Sequence, residues 1–159
     1  MTTLAVSFDW RPAGRVSLDS AGGLVFPVLP TAPGLYRFWI ESADPRPGVY
    51  IGEAADLRQR MRQYRAPGGS PRTNSRLNML LKDAVGGGSL VTVWVSTAAA
   101  VRLDADEEEP LDLSRHAGRL IAEQAALLAA AVEDLSESGE PPLRLRILNR
   151  PGVGEPEYD

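Results

Sequence analysis

Five side chains in this chain have types and an order that suit cleavage of a phosphodiester. Tyr36 closes the string Gly34-Leu35-Tyr36, and Tyr50 opens Tyr50-Ile51-Gly52 after thirteen intervening residues. Arg60 and Tyr64 follow on one short segment, and Glu123 comes much later. Tyrosine hydroxyls can orient a water molecule and bond phosphate oxygens. An arginine can neutralise charge growing on a phosphoryl group. A lone carboxylate can hold a hard, mostly hydrated cation such as Mg²⁺ or Mn²⁺. Tyr36 is the first choice to deprotonate or orient the attacking water, with Tyr50 assisting. A free tyrosine has a pKa of about 10 and is a poor base at neutral pH, so this role requires nearby cations to lower it.

The elements that must position these groups follow from local pattern. Leu4 to Trp10 alternate apolar and polar residues, as a half-buried strand does. Arg11-Pro12-Ala13-Gly14 reads as a turn, and Val16, Leu18 and Leu24 to Phe26 as short strands. Gly34 to Ile40 and Val49 to Gly52 read as a hairpin around Asp44-Pro45-Arg46-Pro47-Gly48, with Tyr36 and Tyr50 closing its strands. Asp56 is a helix cap, and the helix runs to about Arg65. At 100° per residue, Leu57, Met61 and Tyr64 share its inner face with Arg60 at the edge, while Arg58, Arg62 and Arg65 share another. A second helix is expected from about Thr73 to Val85, ended by Gly86-Gly87-Gly88, then a buried strand from Leu90 to Val95. Asp104 to Pro110 reads as an acidic loop, Asp112 to Leu135 as a long helix, Glu137 to Pro142 as a break and Leu143 to Leu148 as a last strand.

Each candidate also has an ordinary structural use. Tyr36 and Tyr50 can be a cross-strand aromatic pair. An arginine at the edge of an apolar face needs an anion. Arg60 therefore either awaits a phosphate or pairs with Glu53 or Glu123. Glu123 is the only acid between Leu113 and Val132. It borders the apolar stripe of Leu113, Leu120, Gln124, Leu127 and Ala131, and its ordinary partner would be Arg119 one turn earlier. His116 lies on the same stripe, two turns before Glu123. Gly86-Gly87-Gly88-Ser89 lacks the Gly-Lys-Ser/Thr ending of a phosphate-binding loop, which argues against nucleotide hydrolysis.

Bulk properties restrict the classes. The 159 residues suit one domain, and 43% hydrophobic with 24% charged residues suits a globular fold. No cysteine means no disulfide and no thiolate metal site, and one histidine rules out a His-rich zinc cage from this chain alone. No signal peptide is read at the N-terminus, and the apolar run Ala125 to Val132 is far too short to span a membrane. A cytoplasmic location without membrane partners is expected. Net charge is −4, yet Arg58, Arg60, Arg62, Arg65, Arg72 and Arg76 lie together with no acid among them. Arg58, Arg62, Arg65, Arg72 and Arg76 are therefore expected to track a nucleic-acid backbone.

Taken in order, these residues resemble the GIY-YIG nuclease superfamily over about Gly34 to Asn149. Gly34-Leu35-Tyr36 stands for the first triplet, with leucine for isoleucine, and Tyr50-Ile51-Gly52 is the second unaltered. Arg60 falls where the family has its arginine, Tyr64 where it has histidine or tyrosine, Glu123 where it has its metal-binding glutamate, and Asn149 near the family's asparagine. Tyr50 to Arg65 looks closest to the N-terminal nuclease module of UvrC-type repair proteins. Those modules usually carry a lysine after the second triplet, where this chain has Glu53. The resemblance implies an α+β fold, with a small central antiparallel sheet flanked by helices. It divides the chain into a β extension packed on the core (1–33), a nuclease domain (34–150) and a polar tail (151–159). It further implies an endonuclease that hydrolyses DNA with Mg²⁺ or Mn²⁺ on Glu123, in repair or restriction. RNA stays open as a substrate, as do the oligomeric state and a binding module that has lost cleavage. Glu53 would lie beside the scissile phosphate and is expected to hold Arg60.

Overall fold

The computed structural model describes residues 1–69, 72–133 and 145–149. The break at 137–142, the first residues of the expected last strand and the tail 151–159 lie outside the described residues. The fold is α+β. Ten strands and three helices are described: β1 Leu4–Phe8, β2 Arg11–Arg15, β3 Ser17–Leu18, β4 Leu24–Val25, β5 Gly34–Glu41, β6 Gly48–Ala54, α1 Leu57–Arg65, α2 Arg72–Gly86, β7 Leu90–Ser96, β8 Ala99–Leu103, β9 Glu109–Pro110, α3 His116–Glu133 and β10 Arg146–Ile147. The central sheet has the order β10-β6-β5-β7-β2 and is antiparallel except where β10 runs parallel to β6. Among the described residues, no helix is long and apolar enough to cross a membrane.

The hairpin β5–β6 is the axis of the molecule. Its register sets Tyr36 opposite Gly52 and Phe38 opposite Tyr50. Side chains alternate across a strand, so Tyr36, Phe38, Ile40, Tyr50 and Ala54 enter one apolar cluster with Leu57, Met61 and Tyr64 of α1 and Leu77 and Leu81 of α2. Leu35, Val49 and Ile51 enter a second cluster on the other face, under α3. On that second face Arg37 lies among all three tryptophans of the chain, its guanidinium carbon 4.7 Å from the Trp10 ring, 5.2 Å from Trp94 and 5.5 Å from Trp39. Cation–π attraction keeps this charge at home on an otherwise apolar surface.

Helix α1 forms as its periodicity predicts. The Asp56 carboxylate accepts from the Gln59 backbone N–H at 2.9 Å, and the apolar face buries Leu57, Met61 and Tyr64. Its last carbonyls are claimed by Asn78 of α2, whose amide donates to Tyr64 O at 2.6 Å.

Four expectations are corrected. Arg11 to Gly14 is not a turn but the outer strand β2, paired to β7 with a bulge between Pro12 and Gly14. An edge strand tolerates proline because the missing donor faces outward, and Gly14 takes a φ of 141° in the bulge. Strand β8, unread in the sequence, pairs with β1 and with β9, so the acidic stretch ends in a strand at Glu109–Pro110. The third helix starts at His116, not Asp112, because the Asp112 carboxylate bonds the Ser114 N–H and hydroxyl in a local turn. Finally, the inner face of α3 is the alanine ridge Ala122, Ala126 and Ala130, while Leu120, Ile121, Leu128 and Val132 are exposed. Small residues let the helix backbone sit close on the sheet, and no leucine stripe offers that. Described strand structure in the last segment is limited to Arg146–Ile147.

Gly34 and Gly52 are needed for close approach. A Cβ on Gly34 would stand 2.5 Å from the Ser96 carbonyl oxygen of β7. A Cβ on Gly52 would overlap the Tyr36 hydroxyl and ring, with Cε1 at 3.0 Å. Gly52→Ala is therefore expected to lower unfolding stability by about 1–3 kcal/mol, the usual cost of forcing one methyl into a filled core. Urea denaturation of the variant against the native chain measures this, and equal midpoints would refute the packing account.

Candidate active site

Three of the four tyrosines converge on one side of the hairpin. The Tyr36 and Tyr64 hydroxyls share a hydrogen bond. The Tyr36 and Tyr50 rings stack at 6.4 Å with 24° between their planes, and Tyr64 meets Tyr36 edge-on at 5.9 Å. Both the catalytic and the aromatic-pair readings of Tyr36 and Tyr50 thus describe the same packing. Tyr50 is the least enclosed of the three, at 7% exposed.

Arg60 lies half-buried at the edge of α1, as its place on the helix wheel predicts. Its charge acts on Tyr36, Tyr50 and Tyr64 and on Glu123 across the gap to α3. Yet it makes no ion pair within 4.0 Å among the described residues. The anticipated Glu53–Arg60 pair is not there. Instead Glu53 bonds Arg119 Nε, and its other oxygen lies 3.7 Å from His116 Nε2. The physical reason is strand alternation. Glu53 points to the α3 face of β6, whereas Arg60 approaches from the α1 face.

Arg119 also answers the question of an Arg119–Glu123 pair along the helix. It is buried, with 8% of its side chain exposed, and its Nη1 donates to Leu113 O at 3.1 Å and Ser114 O at 3.0 Å. The Glu53–Arg119 pair is nearly dry, so removing either partner leaves a buried charge and costs about 3–5 kcal/mol. Glu123 is left to face the hairpin. Burial raises its carboxyl pKa, and the Glu53 carboxylate pushes the same way. The Glu53 backbone N–H, the Arg60 charge and the Gln124 side chain act in the opposite sense.

Asn149 completes the group, and its location could not be read from sequence spacing. Its side-chain oxygen accepts from Ile51 N at 2.9 Å, and its amide donates to Ile51 O. One asparagine side chain thus replaces a whole peptide unit of a neighbouring strand. Just before it, Arg146 N donates to Pro47 O at 2.9 Å and Leu148 N to Val49 O at 2.8 Å.

The basic residues divide. Arg76 reaches the tyrosines: its charge acts on Tyr50, and its Nη2 donates to Leu148 O at 3.4 Å. Arg58 and Arg65 are turned to the N-terminal strands, where Arg58 bonds Leu29 O at 2.9 Å and Arg65 pairs with Asp19 at 3.6 Å. Arg62 shares their face, beside a cleft of about 300 Å³ lined by Phe26, Val28 and Met61. Arg72 is exposed at the start of α2. Arg58, Arg62 and Arg65 therefore point away from Arg60. His116 is largely exposed and serves Glu53.

No family model matches this chain, and no curated protein matches it. Among solved structures, the chain is similar to a mutant of EndoII from bacteriophage T4. That likeness has a TM-score of 0.47 and 16% identity, over 76% of this chain and 85% of the other.

The donor set decides which cation the site could take. Among the described residues no three His, Cys, Asp or Glu side chains gather into a metal-binding group. The two Glu53 oxygens face Arg119 and His116, which among the described residues beside the hairpin leaves Glu123 as the available carboxylate. A single hard oxygen ligand fits a hydrated cation that draws its other ligands from water and substrate, and it does not fit an all-protein cage.

The tyrosine cluster is set against ionisation. Burial raises the Tyr36 pKa well above the ordinary value of 10.0, and coupling to Tyr64 and Tyr50 adds to it. Burial likewise raises Tyr64 and Tyr50. Burial therefore works against Tyr36 as a base and leaves it the other anticipated part, orienting a water molecule. A pKa raised in the folded state gives stability that is complete below the unfolded value of 10.0 and lost as pH climbs beyond it. Above that value each retained proton is expected to cost about 1.4 kcal/mol of stability per pH unit. In a Tyr158→Phe variant, phenolate absorbance of the three clustered tyrosines should rise only with the alkaline loss of circular dichroism. A smooth rise well before that loss would refute the burial argument.

Proposed function

We propose that this chain is a metal-dependent DNA endonuclease of the GIY-YIG type. The observation that carries the reading is Arg60. It is a half-buried cation whose field reaches three tyrosines and a raised carboxyl, with no anion of its own within 4.0 Å among the described residues. A structural arginine would hold a carboxylate there, and the nearest alternative, Glu53, is taken by Arg119. A phosphate is the anion that the arrangement lacks.

In this mechanism Arg60 binds a non-bridging oxygen of the scissile phosphate and neutralises the charge that grows on it. Arg76, whose charge also acts on Tyr50, steadies the neighbouring backbone. Tyr50 orients the attacking water with its hydroxyl still protonated, being less enclosed than Tyr36 and flanked by two cations. Tyr36 and Tyr64 hold Tyr50 in place from behind, and the buried Tyr64 hydroxyl, shared with Tyr36, serves this packing rather than the phosphate contact expected of it. Asn149 fixes the Ile51 peptide between the second tyrosine and Gly52. Glu123 holds the divalent cation, which supplies Lewis-acid stabilisation of the leaving oxygen when bound. Arg62 and Arg72 remain free to follow a longer backbone, while Arg58 and Arg65 are partly committed to the fold. Because Arg119 balances the Glu53 charge, that carboxylate is no strong argument for a binding module that has lost cleavage. The N-terminal strands would then shape substrate choice, whether lesion, junction or sequence.

Purified native chain should nick or cut at least one member of a panel of supercoiled, linear, branched and single-stranded DNA with Mg²⁺ or Mn²⁺. Arg60→Ala and Glu123→Ala should each cut at least about 10²–10³-fold more slowly while folding normally. Full activity in either folded variant would end the assignment, and cleavage of RNA alone would reassign the substrate.

Binding should outlast cleavage. DNA affinity of Glu123→Ala is expected to fall steeply with salt, because the arginines release counterions from the backbone. A flat plot of log affinity against log salt would show that these arginines do not contact phosphate.

A further inference from the structure

We propose that Arg119 is a positioning residue which, with Glu53, clasps α3 to the open edge of β6 and so aims Glu123 at the tyrosine cluster. The inference rests on the nuclease reading given above. One helix acts on residue 53 from two positions. Its side chain is held by Arg119, and the carboxylate of Glu123, one turn further on, is close enough for the Glu53 backbone N–H to pull its pKa down against the effect of burial. Positions four apart on a helix share a face, so fixing Arg119 on Glu53 also fixes the side from which Glu123 approaches the strand.

The remaining guanidinium contacts point to the same task. Arg119 Nη1 bonds the carbonyls of Leu113 and Ser114 in the turn that precedes α3. A Cβ on Gly118 would overlap the Asp112 carbonyl, which seats that turn hard against the helix start. Arg119 thus ties together the turn, the first part of α3 and β6. The alanine ridge below supplies close contact but no rotational lock, since alanines present a smooth surface to the sheet. The charged clasp sets the rotation of α3, and with it the direction of Glu123. Arg119 touches no substrate in this scheme.

Arg119→Gln and the isosteric Glu53→Gln test it on the full chain, with native chain and Glu123→Gln alongside. In cleavage assays the clasp predicts a fall in kcat of about tenfold or more, with a higher Mg²⁺ concentration for half-maximal rate and little change in KM for DNA. Without metal, it predicts that hydrogen exchange at the residue-53 amide quickens more than the general rise that lost stability brings to the amides of β5 and β7. A merely structural ion pair would speed exchange evenly throughout and leave kcat of the folded fraction intact. If Arg119→Gln fails to fold, Glu53→Gln decides, since it removes the charge with little change of shape. Native kcat together with a protected Glu53 amide in a folded variant overturns the clasp and leaves the nuclease reading standing. Silence of the native chain on every substrate overturns the nuclease reading, and the exchange measurement then judges the clasp alone.

Discussion

The outer edge of β6 must be satisfied, and the rest of the site depends on how that is done. A strand with an unpaired edge leaves buried N–H and C=O groups without partners, at a cost comparable to a lost hydrogen bond each. Among the described residues β10 pairs with Gly48 and Val49 of this edge. Beyond it, the edge is closed by the Asn149 side chain at Ile51, and the Glu123 carboxylate lies near enough to feel the next outward N–H, that of Glu53. Polar residues are drawn to this line because the backbone requires them, and it runs beside Tyr50. The same groups that complete a sheet therefore furnish the polar wall of the candidate site.

On the other side of β6, geometry is set by exclusion. Gly52 carries no side chain because the Tyr36 hydroxyl occupies that space, and Tyr36 then meets Tyr64. The second triplet is thus a packing solution before it is a signature. Its tyrosine fills one side of the strand, its glycine yields to the opposing tyrosine, and its isoleucine points to the core under α3.

Where local pattern governs, the sequence was legible. The cap at Asp56, the inward trio Leu57, Met61 and Tyr64, and the edge position of Arg60 all follow from helical period, and all are present. The hairpin and the strand at Leu90 follow from β-branched and aromatic runs. Where distant segments govern, it was not. Arg11 to Gly14 carries turn residues, and only pairing with β7 makes it a strand. Residue for residue the leucines of α3 are more hydrophobic than its alanines, yet closeness to the sheet selects the alanines. Glu53 found its partner 66 positions away rather than on the neighbouring helix. Strand alternation held the clue: Glu53 must face away from Tyr50 and Gly52, hence away from Arg60.

The bond between Ile51 and Asn149 joins residues 98 positions apart. Closing so long a loop carries an entropic cost that local helices and hairpins do not meet. On a ribosome, α1, α2 and the hairpin can form while the chain is still growing, but the edge of β6 stays open until Asn149 has emerged. Order of synthesis then becomes a safeguard. The segment that completes the site follows the rest of it, so a chain cut short of Asn149 carries the tyrosines and Arg60 without the frame that holds them.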